Sequence, residues 1–291
     1  LNSQHALVRE HIRAGGRAIA LEPGLNGDMI TLYDNHSHMP LLWTHLVPAT
    51  LEGKAVHNVQ NAMFAAGMAY SMGVKLDDIR HGLRTFDTTW FQAPGRMNIY
   101  DKHGFRVICD YGHNPAAIDA MCALVDRLAD DHTGKKIVVL AVPGDRRDED
   151  FAAVAKRAST SFDHFICRRD DARRGRGDDE VPMLLRQTLL DNGVSDDRIE
   201  VVVAEPDAVN RALELAEPGD LVLIFCDAIK RTWKQVIYFG SERPETHPLP
   251  AQGEQNLPVL PPVEPTTAPP KVSWARDDRG VYVVPQQEEE D

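Results

Sequence analysis

The sequence predicts an α/β protein built around a mainly parallel sheet. Two observations carry that expectation. Between residues 101 and 239, short runs rich in Val, Ile and Phe alternate with amphipathic stretches. Strands alternating with helices imply a parallel sheet covered on both faces. Polar, charged or glycine-rich clusters follow four of the five runs, at the strand ends where an open parallel sheet binds its ligands.

The five runs are Phe105–Asp110, Lys136–Val142, His164–Cys167, Ile199–Ala204 and Leu221–Cys226. Their shortness and β-branching favour buried strands. Helices are expected at Pro115–Ala129, Glu149–Ser159, Glu180–Leu190 and Asp207–Leu215, and Trp233–Phe239 is expected as an edge strand. Residues 1–93 form a different block. Val59, Ala62, Met63, Ala66, Ala69 and Tyr70 recur at helical spacing, with Gly73 placed to end the helix, and a second helix is expected over Leu76–Leu83. Residues 17–51 read as short strands and turns, too few to close an architecture of their own. The block resembles the trailing half of a larger domain. From residue 240 the composition changes: ten of the 19 prolines fall there, and the chain ends in three glutamates and an aspartate. Such a stretch buries too little apolar area to offset its ordering entropy, so 240–291 is expected to be a disordered tail.

The formal charge of −12 argues against a nucleic-acid binder, which needs a positive surface. No run approaches the ~20 apolar residues that span a bilayer, so no membrane partner is expected. The four cysteines lack a CxxC spacing and read as buried free thiols of a reducing compartment, the cytoplasm. Leu1 stands in mid-pattern without a methionine, which predicts a fragment of a longer chain.

The turn Asp110-Tyr111-Gly112-His113-Asn114-Pro115 places a carboxylate, an imidazole and an amide at a strand end, where a proline starts a helix. Asn114 suits a helix cap, but a carboxylate ending an apolar strand needs a partner. Gly144-Asp145 suits a turn, yet Arg146 and Arg147 follow it, and the guanidinium fork fits carboxylate or phosphate. Five arginines fall between Arg168 and Arg176, flanked by Gly175 and Gly177. That run is either a solvated charged loop or an anion site. In the first block Asn58 suits an N-cap, and Asn61, one turn later, can present an amide edge to a purine.

His57-Asn58-Val59-Gln60-Asn61-Ala62, then Pro94-Gly95-Arg96, then Asp110–Pro115, resemble the ordered signature of the Mur ligase family, which joins an amino acid to a carboxylate using ATP. The stretches Arg80–Arg96, Pro143–Asp150, Arg168–Gly177 and Trp233–Phe239 narrow the resemblance to the branch that builds cyanophycin, an aspartate-backbone polymer bearing arginine side groups. The resemblance covers residues 1–239. It implies part of a central ATP-binding domain over 1–93 and a Rossmann-like carboxyl-terminal domain over 94–239. It further implies that Asn61 contacts adenine, Arg96 the phosphates or ribose and Asp110 the ribose hydroxyls, with His113 and Asn114 in the same nucleotide-facing turn. Arg146, Arg168, Arg169, Asp170, Asp171 and Arg174 would face the amino acid or polymer. The implied cofactors are ATP and Mg²⁺, and the implied partners are cyanophycin, L-arginine and further copies of the intact parent. No catalytic residue or metal ligand is assigned within the chain.

One family feature is missing: the 291 residues contain no Gly-x-x-x-x-Gly-Lys-Ser/Thr phosphate loop. The expectation is therefore a carboxyl-terminal fragment that is inactive alone. The competing expectation is a truncated, non-catalytic module that binds cyanophycin or a partner subunit. An in-frame phosphate loop in the DNA upstream of Leu1 would favour the first.

Overall fold

The computed structural model describes residues 3–128 and 134–241, and the backbone of 272–277 and 280–285. A short helix α1 (Ala6–Arg13) leads into a three-stranded antiparallel meander, β1 (Ala18–Gly24), β2 (Gly27–Asp34) and β3 (Ser37–Trp43). Helices α2 (Val56–Ser71) and α3 (Leu76–Thr85) follow. Ile30, Leu32 and Leu42 from the meander bury against Val59, Met63 and Ala66 of α2 and Ile79 and Leu83 of α3. The apolar face of α2 thus falls on the residues whose spacing predicted it. Gly73 ends the helix at φ +83°, a conformation glycine adopts without steric cost.

Asn98, fully buried, knits the following linker to the second half of the chain. Its amide donates to the carbonyls of Thr88 (2.7 Å) and Ala93 (2.9 Å), and its side-chain oxygen accepts from Gly95 N (2.6 Å). Beyond it lies a six-stranded sheet of β4 (Asn98–Tyr100), β5 (Arg106–Asp110), β6 (Lys136–Leu140), β7 (His164–Cys167), β8 (Ile199–Val201) and β9 (Leu221–Phe225), in the order β4-β5-β9-β6-β7-β8. Only β4 is antiparallel to its neighbour. The connecting helices are α4 (Pro115–Leu128), α5 (Asp148–Ala158), α6 (Glu180–Asp191) and α7 (Glu205–Leu215). One sheet face packs Ile108, Val138, Phe165 and Leu223 against α4, α5 and α6, and the other packs Val107, Val139, Ile166 and Ile224 against α7. Burial on both faces explains why these strands are continuously apolar.

Trp233–Phe239 is not an edge strand. It lies almost wholly within a final helix, α8 (Ile229–Tyr238). Thr232 and Val236, four apart, are its buried residues, whereas a strand would bury alternate positions. The run Val236–Phe239 imitates a strand only because a helix end and an aromatic residue adjoin. Residues 242–291 form a separate unit. Within it β10 (Val272–Asp277) and β11 (Gly280–Pro285) pair antiparallel. The tail expected over 240–291 otherwise lies outside the described residues.

Candidate functional site

Because β5, β6, β7 and β9 run parallel, their carboxyl ends share one rim. The sheet order inserts β9 between β5 and β6, and a chain that reverses its winding this way opens a crevice at those ends. The four polar clusters, Asp110–Asn114, Pro143–Arg147, Arg168–Arg176 and Asp227–Lys234, meet there and bond to one another. Cys226 N donates to Asp110 O (2.8 Å), Asp171 N to Asp227 Oδ2 (2.9 Å), and Arg174 to Asp145 (2.9 Å).

Asp110 is the hinge of this arrangement. It is 8% exposed, and its two carboxylate oxygens accept from different segments: Met97 N (2.9 Å) and Gly112 N (2.7 Å). Burial pushes its carboxyl above the usual range, opposed by those two N–H donors and by the charges of Arg96 and His113. Gly95 and Met97 both adopt positive φ (+74° and +50°), and Tyr111 N donates to Gly95 O (2.9 Å). The Pro94–Met97 segment is therefore moored to the Asp110 turn. Arg96 remains exposed with its guanidinium 5.5 Å from the Tyr111 ring centroid.

A cleft of about 870 Å³ opens between α2, α3 and the start of α4, and it brings together Asn61, Arg96 and Asp110. Its walls are unusually small: Ala62, Ala65, Ala66 and Ala69 from α2, and Ala116, Ala117 and Ala120 from α4. His57 and Asn58 also line it. Burial pushes the His57 imidazole below its ordinary value. Asn58 is not the N-cap of α2, which starts after Ala55; its amide instead donates to Ala49 O (2.7 Å) and its oxygen accepts from Asn61 (3.1 Å). The lining is thus mostly apolar, with the amides of Asn58 and Asn61, the Arg96 guanidinium and the Asp110 carboxylate as polar groups on it. Asn61 and Arg96 offer side-chain N–H donors to the base and ribose of a nucleotide, while both Asp110 oxygens already accept from Met97 N and Gly112 N. The chain offers no glycine-rich loop for its phosphates.

On the other side of the Asp110 turn lies a polar pocket of about 80 Å³. Arg146, Arg168, Asp170, Arg174 and His113 line it, with Tyr111, Phe225 and Asp227; Arg169 and Asp171 do not. His113 Nδ1 donates to Tyr111 O (3.0 Å), leaving Nε2 as the free ring nitrogen. Asn114 is committed to capping α4, its oxygen accepting from Ala117 N (2.9 Å). The arginine run divides in the same way. Arg168, 1% exposed, donates to Phe225 O (2.6 Å) and Arg169 O (2.7 Å) and lies 3.7 Å from Glu205. Its guanidinium braces strands β7 and β9, which explains a buried cation here. Arg169 donates to Asp170 O (2.8 Å) and Asp171 O (3.1 Å). Arg176 ties Gly144 O, Arg146 O, Asp148 and Glu180 together. Arg168 and Arg176 thus brace the fold from within the run, while residues 171–175 between them are exposed.

Glu205 gave no sign in the sequence. Fully buried at the start of α7, it accepts from Thr232, Arg231 (3.0 Å), Asp227 N (3.3 Å) and Ala228 N (3.2 Å). With Asp171 and Asp227 its oxygens cluster within 4.8 Å, but Arg168 and Arg231 already lie against the cluster. It is an ion-pair lattice. The four cysteines are free and buried, and burial pushes Cys122 and Cys167 up to about 12, so neither supplies a thiolate nucleophile at neutral pH. Among the described residues no helix is long and apolar enough to cross a membrane.

Residues 95–227 match the Mur ligase, glutamate ligase domain, and this part of the chain belongs to the Mur ligase family. Beyond the domain, the chain is similar to cyanophycin synthetase. It is 34% identical over 259 residues to the enzymes of that name from Nostoc sp. and Trichormus variabilis, covering 84% of this chain and 26% of each relative. The chain therefore spans about a quarter of the length of those relatives. It is also 28% identical over 162 residues to the UDP-N-acetylmuramoyl-L-alanyl-D-glutamate–2,6-diaminopimelate ligase of Aquifex aeolicus, covering 55% of this chain and 31% of the relative. Among solved structures, E. coli FolC in complex with DHPP and ADP superposes with a TM-score of 0.54 at 21% identity, covering 75% of this chain and 45% of that one. MurC of Thermotoga maritima gives 0.52 at 17%, covering 77% and 46%. These two superpositions establish the shared α/β fold.

Proposed function

We propose that this chain is the carboxyl-terminal part of a cyanophycin synthetase that attaches L-arginine to the side-chain carboxylates of a poly-aspartate backbone. A carboxylate is a poor acyl donor until an oxygen becomes a leaving group, and ATP supplies the phosphoryl group that makes it one. The arginine amine then attacks the carbonyl carbon of the acyl phosphate, phosphate departs, and the amine loses a proton. In this reading Asn61 reads the adenine edge, Arg96 meets ribose or phosphate, and Asp110 holds the Arg96 segment beside the ribose. His113, expected at the nucleotide, lines the rim pocket rather than the cleft, and that pocket faces the amine side. Mg²⁺ would offset phosphate charge, with its ligands outside this chain.

The alanine-lined cleft of about 870 Å³ carries the reading, because it gathers Asn61, Arg96 and Asp110 on one lining. Without a phosphate loop, the chain alone is expected to release no ADP in response to arginine. The test is Arg96→Ala in the full-length parent, expected to raise the KM for ATP. Unchanged KM and kcat would sink the nucleotide reading, and arginine-dependent ADP release by the chain alone would refute its inactivity. The missing phosphate loop also favours a second reading, a non-catalytic module that binds cyanophycin or a partner subunit. A phosphate loop encoded in frame upstream of Leu1 excludes it.

A further inference from the structure

Residues 86–97 join α3 to β4 without a helix or strand of their own, yet they are held more closely than a connector needs. Asn98, fully buried at the end of the segment, spends its whole amide on it. Both amide hydrogens are committed, to Thr88 O (2.7 Å) and Ala93 O (2.9 Å), and the side-chain oxygen accepts from Gly95 N (2.6 Å). Earlier in the segment the Trp90 indole stacks on Trp233 of α8, centroids 5.3 Å apart and planes 2° from parallel. Tyr100 of β4 meets Trp233 edge-on. Met97, 1% exposed and not a glycine, is held at φ +50°. A left-handed non-glycine residue persists only where its surroundings over-determine it, and such strain collects at functional sites. Between Gly95 and Met97, both at positive φ, stands Arg96, exposed and on the lining of the cleft.

We infer that Asn98 is a positioning residue for nucleotide binding, acting through Arg96. The inference rests on the proposed function, in which Arg96 meets the ribose or phosphates. Asn98 is itself buried and lines no part of the cleft, so it touches no ligand. Its three bonds close the turn that aims Arg96, and they fix where the arginine side chain begins. A long side chain loses freedom when it binds, and a preset origin leaves less to be ordered at that moment. Arg96 is the one arginine on the cleft lining among the described residues, and the chain carries no phosphate loop to share the task. The Trp90 stack anchors the same segment on α8 but leaves the Gly95–Met97 turn to Asn98. No other side chain of this size repeats the set. Aspartate keeps the acceptor for Gly95 N and loses both donors, and alanine loses all three bonds.

The test titrates the 291-residue chain calorimetrically with adenine, which engages the base region alone, and with ADP, which adds ribose and phosphates. ADP is expected to bind about tenfold or more tightly than adenine, and Arg96→Ala is expected to erase that preference. Asn98→Ala is expected to cut the preference about tenfold while adenine affinity stays within about twofold, and to cut nothing further in an Arg96→Ala background. Trp90→Leu, at a partly buried position, covers the case in which Asn98→Ala does not fold. It loosens the same segment and is expected to cut the preference about threefold, within what an aromatic pair contributes. An Asn98→Ala protein that keeps the ADP preference overturns the inference. So does one that loses adenine and ADP affinity alike, or one whose effect on ADP persists undiminished in the Arg96→Ala background. If only Trp90→Leu folds, an unchanged preference overturns it. Failure of the nucleotide reading looks different: neither probe binds the unmodified chain, or Arg96→Ala keeps the preference, and the inference falls with it.

Discussion

Replacing Asp110 by alanine is expected to loosen the junction between the cleft and the pocket. Its oxygens accept from Met97 N at 2.9 Å and Gly112 N at 2.7 Å, at a position 8% exposed. The substitution leaves two buried N–H groups without acceptors, each costing about 1–3 kcal/mol, or roughly 2–6 kcal/mol together. Removing a carboxylate whose burial is itself unfavourable returns part of this, so a net loss of about 2–4 kcal/mol is expected. For a domain of this size that lowers Tm by roughly 5–15 °C. Asp110→Asn retains one acceptor oxygen and should lose less. Thermal and urea unfolding followed by circular dichroism measure both variants. An alanine variant within about 0.5 kcal/mol of the parent would refute the reasoning, since surface-like changes stay in that range. A weaker ATP response in Asp110 variants must accordingly be read beside their stability.

Two other perturbations test the rim. Asp170→Asn is expected to stabilise the chain at pH 8: burial, Asp227 and Glu205 push the folded carboxyl above the usual carboxylate range, against Arg168 and Arg174. The folded state thus binds that proton more tightly, so wild-type stability falls as pH rises through the folded pKa. The variant's Tm advantage should shrink toward zero as pH falls to about 4, the ordinary Asp range; a pH-independent difference would contradict the assignment. Gly95→Ala places a Cβ 2.5 Å from Ile229 Cδ1 at φ +74° and is expected to cost about 2–3 kcal/mol. Gly95→Ala/Ile229→Ala should remove the clash between the added Cβ and the Ile229 side chain and leave the backbone strain; a double variant with no coupling between the two sites would show the contact is not felt.

The sheet was legible because burial on both faces writes each strand as a continuous apolar run, and parallel order then puts every following polar cluster on one rim. Asn61, Arg96 and Asp110 were legible as a group only through their order along the chain; nothing local says that two helices of alanines enclose a slot between them. The arginine run shows the limit. Composition cannot distinguish Arg168, spent on Phe225 O, from the exposed Arg173, which no side-chain hydrogen bond holds among the described residues, because the distinction lies in which carbonyls the fold brings near. Glu205 was invisible for the same reason: its four donors come from residues 227–232, more than twenty positions away. Helix α8 was misread because Val236–Phe239 satisfies a strand's composition, and only the packing of Thr232 and Val236 on the sheet discriminates.

The central claim is that the alanine-walled cleft receives the base of a nucleotide. Isotope-edited NMR titration of the chain with adenosine tests it most directly. The account predicts shifts concentrated at Asn61, Ala65, Arg96 and Ala117, weakened by Asn61→Ala. Absent shifts at those residues, or shifts elsewhere that Asn61→Ala leaves unchanged, would contradict it.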